Sequence, residues 1–60
     1  MDGKLRQFRE KKQISQAELA RRLGVDRSTI NKIENGKTKP SIALLERIAA
    51  ELDVSIRDFF

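Results

Sequence analysis

Cysteine and histidine are both missing from this chain. Without thiols there is no disulfide and no thiolate metal site. Without imidazole the commonest zinc ligand and the commonest general base are gone, and so are the Ser–His and Cys–His nucleophile pairs. Glycine is sparse: the three residues at 3, 24 and 36 are too scattered for a phosphate-cradling loop. The acids Glu10, Glu18, Glu34, Glu46 and Glu51 fall in separate stretches with no paired-carboxylate pattern. Nothing in the sequence points to an enzyme, a cofactor, a metal or a small-molecule ligand. No apolar run approaches the ~20 residues of a membrane span, and no signal peptide is visible. A cytoplasmic protein without a membrane partner is expected.

What is present fits one small domain covering residues 1–60. A chain this short buries only about 60% of its unfolded surface, and its 38% hydrophobic content suffices for a single core. The net charge of +4 is unevenly placed. Residues 1–40 hold eleven Lys and Arg against five Asp and Glu, a surplus of six. Residues 41–60 hold two bases against four acids, a deficit of two. Such asymmetry suggests a polyanion as partner.

The chain is organised around residues 16–36. Leu19, Ala20 and Leu23 give a short amphipathic helix one apolar face. Ser15 precedes that helix and Glu18 follows three residues later, the pattern of a capping box. Gly24 suits the left-handed position that ends a helix, and Asp26 suits the N-cap of the next. In this next helix Ile30 and Ile33 point one way, while Arg27, Ser28, Asn31, Lys32 and Asn35 point the other. The outward face carries cationic and amide groups and no acid. A helix-turn-helix with such a second helix has the shape that enters the DNA major groove.

Gln16-Ala17-Glu18-Leu19-Ala20, Gly24-Val25, Thr29-Ile30, Ile33-Glu34-Asn35-Gly36 and Pro40-Ser41 resemble the Cro/repressor-type helix-turn-helix, also called the XRE family. The resemblance runs from about Leu5 to Phe59. It implies an all-α fold, a compact five-helix bundle of the lambda-repressor-like DNA-binding type, with the helix-turn-helix at about 16–35. It also implies that Gln16 touches the DNA backbone. Glu34 would pair with Arg9 of the first helix, as a partly buried charge requires a partner; a solvated Glu34 is the alternative.

The remaining segments complete this bundle. Residues 3–12 read as a first helix, capped by Asp2, with Leu5 and Phe8 facing inward. Lys11 and Lys12 in its last turn either complement the helix dipole or meet phosphates. Ile14 is placed to staple onto Leu19. Arg21 and Arg22 read as solvated charges. After Gly36 the short basic loop Lys37-Thr38-Lys39-Pro40 offers Lys37 and Lys39, with Asn35, as phosphate clamps. Ser41 caps a helix over roughly 42–52, whose stripe of Leu44, Leu45, Ile48, Ala49 and Leu52 forms a structural floor. Ser55 and Asp58 cap a short fifth helix. Ile56, Phe59 and Phe60 either close the core or form part of a dimer face.

The expected function is sequence-specific binding of double-stranded DNA by a transcriptional regulator, a repressor acting as a weak homodimer that strengthens on a palindromic operator. Arg27, Ser28, Asn31 and Lys32 would read base edges, since Arg and Lys match guanine O6/N7 and Asn matches adenine N6/N7. Gln16, Asn35, Lys37 and Lys39 would hold phosphates. A protein-interaction module of the antitoxin or co-activator kind is the alternative. It would demand large apolar anchors on the outer face of the third helix, and the sequence places none there.

Overall fold

The structure, a computed structural model, describes residues 3–60. Four α-helices follow one another: α1 (Lys4–Lys11), α2 (Gln16–Leu23), α3 (Arg27–Glu34) and α4 (Ile42–Glu51). A single 3-10 turn, Ile56–Phe59, comes last. No strand is present among the described residues. The expected count of five helices is therefore corrected to four and one turn. The reason is local. Ser55 and Asp58 cap each other's backbone over only four residues, and the N–H groups of Asp58 and Phe60 bond to carbonyls three residues back at 2.9 and 3.1 Å. That i to i+3 pattern is the tighter 3-10 winding. The expected cap by Asp2 lies outside the described residues; α1 starts instead behind Gly3, which accepts no side-chain capping bond.

All four helices end in the same way. Gln13, Gly24, Gly36 and Asp53 each take a left-handed φ, between 57° and 73°. The next residue then bonds back five positions: Ile14 to Arg9, Val25 to Ala20, Lys37 to Lys32 and Val54 to Ala49, at 2.8–3.1 Å. This closure satisfies carbonyls that a helix end leaves open. Ile14, Val25 and Val54 turn inward against the core at three of these ends. At the end of α3 the same position is Lys37, and it is exposed. The chain thus repeats one device and, at α3 alone, hands the following side chain to solvent.

The core is one cluster. Leu5, Leu19, Leu23, Ile30, Ile33, Ile48 and Leu52 are fully buried. Burying such side chains contributes about 1.5–3 kcal/mol each relative to exposure, as an upper figure. α4 supplies the floor, as its stripe predicts. Phe59 belongs to the core and meets Phe8 edge to face, with centroids 5.4 Å apart. Phe60 and Ile42 remain exposed, at 78% and 60%. Arg47 reaches across and donates to the Leu23 carbonyl at 2.8 Å, tying α4 to the end of α2. No described helix is long and apolar enough to cross a membrane.

Candidate nucleic-acid interface

α2 and α3 pack closely around the turn at Gly24, whose left-handed φ of 73° no β-branched residue adopts cheaply. Ser15 Oγ accepts from the Glu18 N–H at 3.0 Å and so starts α2. The other half of the expected capping box does not form: the Glu18 carboxylate turns to Arg21 and Arg22 instead. Asp26 occupies the N-cap of α3 in extended backbone, but its side chain accepts no capping bond.

α3 buries Ile30, Ile33 and Glu34 and exposes Arg27, Ser28 and Lys32. Asn31 is half-buried, and its Oδ1 accepts from Asn35 Nδ2 at 3.1 Å. The Asn31 carboxamide is thereby oriented, with its N–H₂ left to donate outward. Asn35, Lys37 and Lys39, at and after the end of the helix, are exposed. Among the described residues, α3 and the loop up to Lys39 expose no large apolar side chain and no carboxylate; the exposed Asp26 stands at the N-cap.

Behind the surface lies a polar core centred on Glu34, whose side chain is 0% exposed. Arg9 Nε donates to Oε2 at 2.6 Å and Arg9 Nη2 to Oε1 at 3.2 Å, a two-pronged grip. Arg9 Nη1 donates to the Ile14 carbonyl at 2.8 Å. Gln16 Nε2 donates to Glu34 Oε1 at 2.9 Å, and Gln16 Oε1 lies 3.5 Å from Arg27 Nη1. Gln16 thus joins the buried pair to the first residue of α3. Burial by itself pushes the Glu34 carboxyl up, but the hydrogen bonds from Arg9 and Gln16 outweigh it and hold the group below its ordinary value. The hydrogen bond to Glu34 likewise raises Arg9. Among the described residues no buried side-chain nitrogen or oxygen lacks a partner.

The sequence-predicted residues therefore fall into three places. Arg27, Ser28, Asn31 and Lys32 lie on α3, and Asn35, Lys37 and Lys39 follow it in the chain. Gln16 stands at the start of α2, beside Arg27. Arg9 and Glu34 lie beneath. Arg6 escaped the sequence reading, although it lies 3.4 Å from Glu34 Oε1 through Nε. The signal for it was its spacing: three residues before Arg9, it shares that face of α1. Among the described residues no three His, Cys, Asp or Glu side chains gather as a metal site.

Comparison with known proteins agrees with this geometry. A helix-turn-helix family model matches residues 5–59. An uncharacterised HTH-type transcriptional regulator of Methanocaldococcus jannaschii is 43% identical over 60 residues, covering all of this chain and 91% of that protein. The HTH-type transcriptional regulator SinR of Bacillus subtilis is 44% identical over 54 residues, 88% of this chain but 49% of SinR. A crystal structure of SinR in complex with DNA superposes with a TM-score of 0.91 at 36% identity and full coverage of both chains. The restriction-modification controller protein C.AhdI of Aeromonas hydrophila gives the same TM-score at 34% identity, over 98% of this chain and 89% of that one.

Proposed function

We propose a function from the premise that the chain belongs to the helix-turn-helix family of transcriptional regulators: it binds duplex DNA in a sequence-specific way, with α3 in the major groove. The observation that carries this reading is the outer face of α3, cationic and amide-bearing, framed by the exposed Lys37 and Lys39. Arg27, Ser28, Asn31 and Lys32 read base edges, and Gln16, Asn35, Lys37 and Lys39 hold phosphates and set register. The role is one of binding rather than catalysis, and chromosomal DNA as partner implies a cytoplasmic location. Repression needs nothing beyond occupancy of an operator.

A homodimer belongs to the same proposal. One recognition helix touches only a few base pairs, and a two-fold pair places two such helices about one DNA turn, ~34 Å, apart. A groove of about 380 Å³ lined by Pro40, Ile42, Leu45, Phe59 and Phe60, with Lys4 and Lys39 beside them, supports pairing, with Ile42 and Phe60 exposed. So small a patch gives only a weak contact in free solution. Phe59, part of the core, also lines the groove, while Ile56 packs half-buried against the core.

Selection of bound sequences from random duplexes tests the reading, and enrichment of a two-fold symmetric site is expected. Binding should weaken with salt: roughly four neutralised phosphates per protomer give a slope of log K on log[salt] near −3.6. Salt-independent affinity, or no enrichment, would overturn it. Sedimentation with one-half-site and two-half-site duplexes tests the dimer, since equal and independent affinities exclude cooperative pairing.

A further inference from the structure

Glu34 is a single buried carboxylate with more donors than it needs. Arg9 alone neutralises it with two hydrogen bonds, and Gln16 adds a third. Arg6 is then a surplus cation. Its Nε lies 3.4 Å from Oε1, the same oxygen that receives Gln16 Nε2 and Arg9 Nη2. Its side chain is 49% exposed, against 10% for Arg9. Only Nε is engaged; among the described residues neither Nη group of Arg6 donates to a protein acceptor.

A long cationic side chain on the surface usually samples many rotamers, and fixing it costs entropy. Here one end of the guanidinium is anchored over a saturated carboxylate while the other faces solvent. The anchor places it on the same oxygen as the carboxamide of Gln16. A planar, partly dehydrated guanidinium with free N–H groups matches the oxygens of a phosphate better than a mobile lysine does.

We propose that Arg6 is a further DNA-backbone contact, which brings α1 into the interface and extends the phosphate-binding line of Gln16, Asn35, Lys37 and Lys39. This rests on the DNA-binding reading above. In it Arg9 is the structural partner of Glu34, and Arg6 is the partner of the nucleic acid, held at the right place by the same carboxylate. Because it meets phosphate rather than bases, Arg6 adds affinity without preference.

The test uses the whole chain, a mixed-sequence duplex and the selected preferred duplex. Arg6→Gln should bind both more weakly by the same factor, and its salt slope should be shallower than that of the wild type by about 0.9 per protomer bound. Arg6→Lys should restore the slope. Thermal melting checks that the variants fold. Should Arg6→Gln not fold, arginine modification by a dicarbonyl reagent on the wild-type protein, read by mass spectrometry, gives the answer, with Arg6 protected by duplex DNA. An unchanged slope in folded Arg6→Gln, or equal modification of Arg6 with and without DNA, overturns the proposal and leaves the DNA-binding reading intact. A wild-type chain that binds neither duplex overturns both.

Discussion

Two carboxylates in this molecule each hold two arginines, and they do different things. Glu34 takes Arg6 and Arg9 across a sequence separation of 28 and 25 residues, joining α1 to α3. Glu18 takes Arg21 and Arg22 within its own helix, at i+3 and i+4. The Glu34 side chain is fully buried, whereas that of Glu18 is 34% exposed and its arginines are 72% and 39% exposed. Both clusters set two arginines around one carboxylate, and Glu34 takes Gln16 as well. Burial and reach distinguish them: one cluster is a joint between helices, the other an ornament on one helix. An exposed pair exchanges good hydration for a modest attraction, whereas a buried charge that loses its partner keeps the full cost of desolvation.

The sharpest way to break the comparison is to remove Glu34. In Glu34→Ala the Arg9 guanidinium stays buried with only the Ile14 carbonyl as acceptor. A loss of about 3 kcal/mol or more is expected. A small domain has ~5 kcal/mol or little more to lose, so the variant should be largely unfolded at room temperature. Thermal or urea melting measures this, and a double-mutant cycle with Arg9→Leu should give strong coupling. Coupling as small as that of an exposed pair would erase the distinction. Acid acts in the same direction. The folded state holds the Glu34 carboxyl below its ordinary value, so its contribution is full at neutral pH and is lost as pH falls through the folded-state value.

The second difference is reach toward the outer surface. The Glu34 cluster continues through Gln16 to Arg27, while the Glu18 cluster stays on α2. Arg27→Ala and Lys32→Ala should each cost about 1–3 kcal/mol on the preferred duplex and relax the preference at one base pair. Lys37→Ala should weaken all duplexes about equally. Binding measured on the preferred site and on single-base variants separates the two patterns. A base preference that follows Lys37 and ignores Arg27 and Lys32 would reverse the assignment of roles.

How much of this was legible in the sequence depends on the range of the signal. The inward residues of α2, α3 and α4 follow from the 3.6-residue period, and nearly all of them are buried. The Ser15, Ser41 and Ser55 caps follow from a serine just ahead of each element: Ser15 and Ser41 accept the N–H three residues on, and Ser55 accepts that of Arg57. The Arg9 position needed the family resemblance, because no local pattern links residues 25 apart. Arg6 follows only once Arg9 is placed, from its spacing three residues before it on the same face of α1. The missing half of the capping box at Glu18 shows two local signals in competition: the same carboxylate can face the Ser15 N–H or two arginines, and two cations win. Glycine marks the helix ends at Gly24 and Gly36, whereas Gln13 and Asp53 take the same left-handed turn without one. Gln13→Gly should therefore stabilise the fold, by about 0.5–1 kcal/mol, through relief of left-handed strain less the added freedom of the unfolded chain. A higher melting temperature is expected, and a lower one would mean that the Gln13 side chain makes up for its strain.

The smallest effect belongs to Glu18→Gln. The hydrogen bonds from Arg21 and Arg22 hold the Glu18 carboxyl at about 2, below its ordinary 4.5. A lowered folded-state value means a contribution present above pH 4.5 and lost as pH falls toward 2. Yet the group and both its partners stand in water, where solvent and salt screen the attraction and where the arginines keep their hydration if the carboxylate is removed. The start of α2 does not depend on the Glu18 side chain either, since Ser15 Oγ bonds to the Glu18 main-chain N–H, which glutamine retains. The variant should melt with the wild type at neutral pH in moderate salt, and its acid unfolding should begin at the same pH, because Glu34 sets that limb. A loss of stability comparable to that of Glu34→Ala would show that exposure is not what separates the two clusters.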